Sequence, residues 1–263
     1  MVATAAPAQD AGDTSAAGAL RPLCTDRPTK STAPCTVDPG HLQIESDIIN
    51  FTYDHEDGVT TDTWLITNPT VKFGLTRTLD IEANLTPWII VEARSAGQRT
   101  TQSGVGDLFL RAKWNFVGAD GGKVAIALSP FVKLPTASGG VGNGAVEAGA
   151  VVPVSLTLPA GWAVTFDPEL DVLKDQQGEG RHVALAGLAS FSRALSKTVT
   201  GSVEIWSATN FDPGGRVTQV SGDIGVAWIP TRHPNFQLDG GANFGLNRTT
   251  PAAQVYIGAS RRF

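Results

Sequence analysis

From His41 to Phe263 polar and apolar side chains alternate with a period of two, in about twelve successive segments of roughly 10–14 residues. The segments begin near His41, Thr61, Thr78, Gly104, Lys123, Asn143, Gly161, Arg181, Thr198, Val217, Asn235 and Ala252. In 106–116, Leu108, Leu110, Ala112, Trp114 and Phe116 share one face, and Asp107, Arg111, Lys113 and Asn115 share the other. In 163–173, Val164, Phe166, Leu170 and Val172 oppose Asp167, Glu169 and Asp171. No apolar stripe at helical spacing competes, so each segment is expected to be a strand.

The connections alternate in kind as well. Those at 75–78, 118–122, 158–161, 194–197 and 230–234 are tight; those around 92–104, 134–144, 174–181, 210–217 and 245–252 are mostly longer and richer in Gly, Ser, Thr and Asn. Short turns at one end and longer loops at the other are the pattern of a membrane barrel. The expected fold is therefore all-β: a transmembrane antiparallel up-and-down β-barrel of about 12 strands over 40–263. Residues 1–39 are rich in Ala, Thr, Pro and Asp and show no period, which fits a tail or plug segment.

Alternation alone does not separate a barrel with lipid outside from a soluble sandwich with an apolar core. The aromatics bear on that choice. Trp114, Phe116, Trp162, Trp228, Phe236 and Phe263 fall on the apolar face beside short turns or at the last position, as in a lipid-facing interfacial girdle. A soluble core would scatter them through strand centres. The polar face would then line a lumen, with an acidic ladder of Glu45, Asp47, Asp80, Glu82, Asp107 and Glu147. Asp167, Glu169, Asp171, Glu204, Asp223 and Asp239 continue it, against Lys72, Arg111, Lys113, Lys123 and Lys133. Trp64, Trp88, Phe109, Phe131, Trp206 and Tyr256 are expected to point inward, either filling the lumen or lining a path for an apolar or aromatic solute.

Composition narrows the reading further. A net charge of -5 without a clustered basic face argues against nucleic acid, and the mean hydropathy of -0.01 is too high for a disordered chain. No stretch approaches the roughly 18 uninterrupted apolar residues of a membrane helix. Met1–Leu20 shows neither the charged nor the apolar region of a signal peptide. Cys24 and Cys35, close together in an irregular Pro/Thr-rich stretch, are expected to form a disulfide and to place the chain in an oxidising compartment.

Candidate chemistry is sparse. His41, His55, His182 and His233 lie at strand ends or turns with no recurring Ser partner, so a lipase site is not expected. His182, at the outer start of a strand, leaves an Asp/His rim site conceivable. The Gly139–Gly144 run lacks the Lys-Ser/Thr of a phosphate loop, and 212–215 reads as a turn. No metal or cofactor is expected.

Several segments together resemble a known family: TDRPTKS (25–31), VDPGHLQIE (37–45), GVGDLFLRAKWNF (104–116), FVKLPT (131–136), and the C-terminal NFQLDGGANFGLN and QVYIGASRRF. They are similar to bacterial outer-membrane transporters of the type named for the MetA pathway of phenol degradation. The resemblance spans about residues 25 to 263, with the Cys24/Cys35 insertion as a departure from it. It implies an outer-membrane channel for passive passage of small hydrophobic or aromatic molecules. Its partners would be outer-membrane lipid, such solutes and, during biogenesis, the barrel-assembly machinery acting on the terminal aromatic strand; a monomer is expected. The competing expectations are a non-conducting structural or interaction barrel with a plugged lumen, and a soluble β-sandwich binding module.

Overall fold

A computed structural model describes residues 20–119 and 121–263. The strands are β1 (Leu42–Glu56), β2 (Val59–Thr76), β3 (Leu79–Leu85), β4 (Trp88–Ser95), β5 (Gln98–Gly104), β6 (Leu108–Val117), β7 (Val124–Leu134) and β8 (Glu147–Val151). They continue as β9 (Val154–Thr157), β10 (Trp162–Phe166), β11 (Glu169–Lys174), β12 (Arg181–Ala194), β13 (Val199–Asn210), β14 (Val217–Trp228), β15 (Phe236–Gly245) and β16 (Ala253–Arg262). These pieces form the staves of a 12-strand closed antiparallel barrel, in which β3/β4, β5/β6, β8/β9 and β10/β11 are each one interrupted stave. Closure comes from β1, which pairs with β16 from Gln43↔Arg262 to Tyr53↔Ala253 and with β2 on its other side. A closed ladder leaves no unpaired edge for lipid to meet.

Three of the interruptions fall at Pro87, Pro153 and Pro168, whose ring nitrogens cannot donate to a ladder. At two of them the carbonyl still accepts, Val152 N donating to Pro168 O at 3.0 Å and Ala127 N to Pro153 O at 3.1 Å, and beside Pro87 it is Thr86 O that accepts, from Gly106 N at 2.9 Å. The wall thus bends without losing its backbone pairing.

The short turns at 77–78, 118–123, 158–161, 195–198 and 229–235 share one end with Leu42 and Phe263, here the terminal end. The opposite, loop end carries 135–146, 175–180, 211–216 and 246–252. One expected loop, 92–104, is instead the β4–β5 hairpin, tightly turned at Ala96-Gly97 with φ of 48° and 80°. Asp57-Gly58 turns the β1–β2 hairpin in the same way, with φ of 49° and 78°. Two positive-φ residues in sequence match the twist of a two-residue hairpin, so β4 and β5 run on through the span expected as a loop.

Burial is inverted relative to a soluble domain. Lys113, Gln43, Asn115, Asp80 and Asp223 are among the most buried side chains, while Val203, Ile205, Ile224, Val226, Val255 and Ile257 are exposed on the outside. Cross-strand pairs keep the faces apart: Glu204 sits opposite Asp223 inside, and Val203 opposite Ile224 outside. Trp114, Phe116, Trp162, Trp228 and Phe263 are exposed on the outer face at the terminal end, and Phe236 lies there half-buried opposite Arg261. Among the described residues no helix is long and apolar enough to cross a membrane.

Candidate functional site in the barrel lumen

The described part of the N-terminal stretch, from Leu20 to Asp38, runs through the lumen and meets wall residues from all around it. Cys24 and Cys35 are joined by a disulfide that closes the middle of this stretch into a loop. Its charges are sorted by wall. Asp26 faces the basic side, where Lys113 Nζ lies 2.8 Å away and Lys72 also bonds it. Each lysine holds a wall carboxylate as well, Glu45 at 2.7 Å from Lys72 and Glu82 at 3.2 Å from Lys113. Arg27 faces the acidic side, reaching Asp47 at 2.5 Å and Asp239 at 2.7 Å. Lys30 continues it, 3.1 Å from Asp223 and 2.6 Å from Ser221 Oγ, while its backbone N–H donates to Glu204 at 3.1 Å.

Backbone donors complete the seating: Val37 N donates to Asp80 at 2.8 Å and Thr32 N to Asp167 at 2.6 Å. At the terminal end Asp38 joins Arg21 (2.6 Å) to Arg262 (2.8 Å) on β16. Burial of these charges is tolerable because each of those named meets an opposite charge or a backbone N–H. The wall is also shaped to the segment. A Cβ at Gly258 would stand 2.1 Å from Arg27 Nη2, and one at Gly225 would stand 2.6 Å from Thr29 Cγ2.

Toward the loop end the lumen is less filled. Lys133 lies between Asp107 (3.3 Å) and Glu147 (2.8 Å), and Arg111 lies 3.9 Å from Glu82 and over the Phe131 ring. Phe109 and Phe131 meet with centroids 6.2 Å apart; Glu169 and Asp171 lie on the same wall, on β11. Trp206 and Tyr256 face the segment, with Lys30 Nζ 4.5 Å from the first ring and the Arg27 guanidinium 5.9 Å from the second. Above Lys30 a chamber of about 250 Å³ opens, lined by Trp206, Ser221, Asn243, Thr250 and Gln254. Below it a polar cavity of about 370 Å³ runs between the segment and β12–β14, past Ser190, Ser192, Ser202 and Thr200.

Two of the six aromatics expected inside are outside. Trp64 packs on Phe51 at 4.3 Å between centroids, and Trp88 is 47 % exposed opposite Ile66. The cause lies in facing bulges: the β1–β2 register passes from Asp47↔Asn68 to Ile49↔Ile66, leaving Ile48 and Thr67 unpaired. One extra residue in each strand flips every later side chain while preserving the pairing. Beyond the bulges Asn50 and Leu65 turn inward, and Phe51, Trp64 and Trp88 form an aromatic rim at the loop end of the apolar band. Lys123, expected in the ladder, is exposed because β7 starts one residue later.

The sequence left an Asp/His rim site at His182 conceivable without naming its Asp partners. Asp175, His182 and Asp212 meet at the loop-end rim, although they come from three separate segments. The backbone N–H groups of Gln176 and Gly214 hold the Asp212 carboxyl below its ordinary value.

No curated protein matches the chain at the level of sequence. Solved structures do match in fold. An outer membrane channel from Pseudomonas putida F1 aligns with a TM-score of 0.65 at 13% identity, covering 86% of this chain and 96% of that one. The β domain of the Bordetella autotransporter BrkA aligns with a TM-score of 0.56 at 13% identity, over 86% and 100%. The NanC porin aligns with a TM-score of 0.52 at 7% identity, over 82% and 98%. They are described as an outer membrane channel, an autotransporter β domain and a porin, rather than as enzymes. Residues 25–263 match the profile of the family described as "Putative MetA-pathway of phenol degradation", and the chain belongs to that family of outer-membrane β-barrels.

Proposed function

We propose that the protein is an outer-membrane channel for passive passage of small hydrophobic or aromatic molecules. The loop end faces the cell exterior, the terminal end faces the periplasm, and the 20–38 segment is a resident plug. The observation that carries the reading is the chamber above Lys30, which offers one aromatic wall, Trp206, among a few placed polar groups and is floored by the plug. The Pseudomonas barrel of similar fold is itself described as a channel. No catalytic step is assigned to the site. The polypeptide acts as a monomer in lipid, delivered there by the barrel-assembly machinery.

Liposome uptake of a monoaromatic compound tests this. Flux should exceed that of protein-free liposomes and should fall several-fold in Trp206→Ala, the loss of about 1 kcal/mol of aromatic contact. Flux no faster than in protein-free liposomes would remove the channel reading. A second reading is favoured by the charge-paired plug: a non-conducting scaffold. Planar-bilayer recordings separate the two, since a scaffold stays silent.

A further inference from the structure

We propose that Asp175, His182 and Asp212 form a binding site for one divalent transition-metal ion of the zinc class at the loop-end rim. The three donors come from different places in the chain: Asp175 from the turn after β11, His182 from the start of β12, and Asp212 from the loop after β13. One ligand atom from each lies within 4.8 Å of the other two. His182 Nδ1 stands 2.7 Å from Asp175 Oδ1 and 3.5 Å from Asp212 Oδ2.

The site is built rather than incidental. The His182 and Asp212 side chains are only 4 % and 2 % exposed, unlike a solvated surface cluster. Asp212 is oriented by outer hydrogen bonds, Gln176 N donating to Oδ2 at 2.8 Å and Gly214 N to Oδ1 at 2.6 Å, the kind of support that fixes ligating carboxylates. Gly180 leaves room for Asp175, since a Cβ there would stand 2.2 Å from its Oδ2. Among the described residues the His182 ring is held only through Nδ1, and its buried Nε2 has no hydrogen-bond partner. A buried imidazole with one unpaired nitrogen, set between two carboxylates, is a costly arrangement for packing alone.

One imidazole nitrogen and two carboxylates suit zinc and its neighbours, with a further position left for water. Calcium and magnesium want more oxygen donors than this cluster provides. The bound ion would tie the ends of β11, β12 and β13 together at the mouth of the lumen.

The test is titration of zinc into the untagged full chain, purified in detergent and stripped with chelator. One ion per chain should bind. Asp175→Asn and His182→Ala should each weaken binding at least tenfold, whereas replacing His41, His55 and His233 by Ala should not. Cobalt provides a second readout, because its visible absorption on binding should disappear in His182→Ala. Heat-modifiable electrophoretic mobility verifies that each variant still folds as a barrel. If His182→Ala does not fold, Asp175→Asn at the turn decides alone. Absence of saturable binding, or equal affinity in wild type and the substituted site, would mean an adventitious ion only and overturn the proposal.

Discussion

At the scale of single residues, the most constrained contact in the lumen is the Arg27 guanidinium between Asp47 and Asp239, whose side chains are 6 % and 0 % exposed. Removing it leaves two buried carboxylates without their partner, which costs on the order of 3–5 kcal/mol. Arg27→Ala should therefore release the plug, read as rapid proteolysis of 20–38 while the barrel stays intact. Gly258→Val should also displace the segment, its Cβ standing 2.1 Å from Arg27 Nη2, but it meets the Ser46 carbonyl of β1 at 2.4 Å as well, so heat-modifiable mobility must show that the barrel still closes. If both variants keep the segment protected, Arg27 is not the anchor. The acidic and basic residues were legible in the sequence as one alternating face. Their partners were not, since Arg27 and Asp239 are 212 positions apart and alternation carries only local information.

Among elements, the plug and the wall differ in how they are held. The strands are fixed by continuous ladders, the segment by a handful of ion pairs and one disulfide. The crosslink spans a sequence separation of 11, for which loop-closure entropy gives about 3 kcal/mol. Reduction should loosen residues 24–35 without changing the barrel's mobility on gels. Deleting 20–38 should go further and open a wider pore. Asp47, Asp239, Asp223 and Glu204 would all lose their partner from the segment, whereas Lys72 and Lys113 would keep Glu45 and Glu82. The freed lumen is then acidic, and reversal potentials should show cation selectivity; anion selectivity or unchanged conductance would contradict this assignment. The strands of this system were readable from period two, but the reach of β1, β2, β4 and β5 was not. Asp57-Gly58 and Ala96-Gly97 look like loop punctuation until the partner strands show that they are tight turns.

For the whole molecule the governing fact is which side of the wall meets lipid. Ile224 is 50 % exposed near the middle of β14, and its neighbour Asp223 is buried inside. Ile224→Arg should cost about 2–4 kcal/mol of stability in a bilayer, measured by denaturant titration of vesicle-folded protein. Ser or Thr at the same position should cost less. A value near zero for arginine would mean that this face is not in the apolar slab. The same inversion explains why the fold tolerates so small an apolar interior, among the described residues little more than Val37, Val151 and a few alanines. The lumen is stabilised by paired charges and the outside by its lipid surroundings.

The sequence by itself determined the strands, their two faces, the outward aromatics at the terminal end and the barrel class, because these follow from a two-residue period and from where turns and aromatics fall along the chain. Only the tertiary structure decided that residues 20–38 thread the lumen, that paired bulges at Ile48 and Thr67 turn Trp64 and Trp88 outward, and that Asp175, His182 and Asp212 converge. Each of these depends on register between strands or on contacts between distant segments. A single extra residue reverses a face, and no local pattern records which distant charge fills the space opposite.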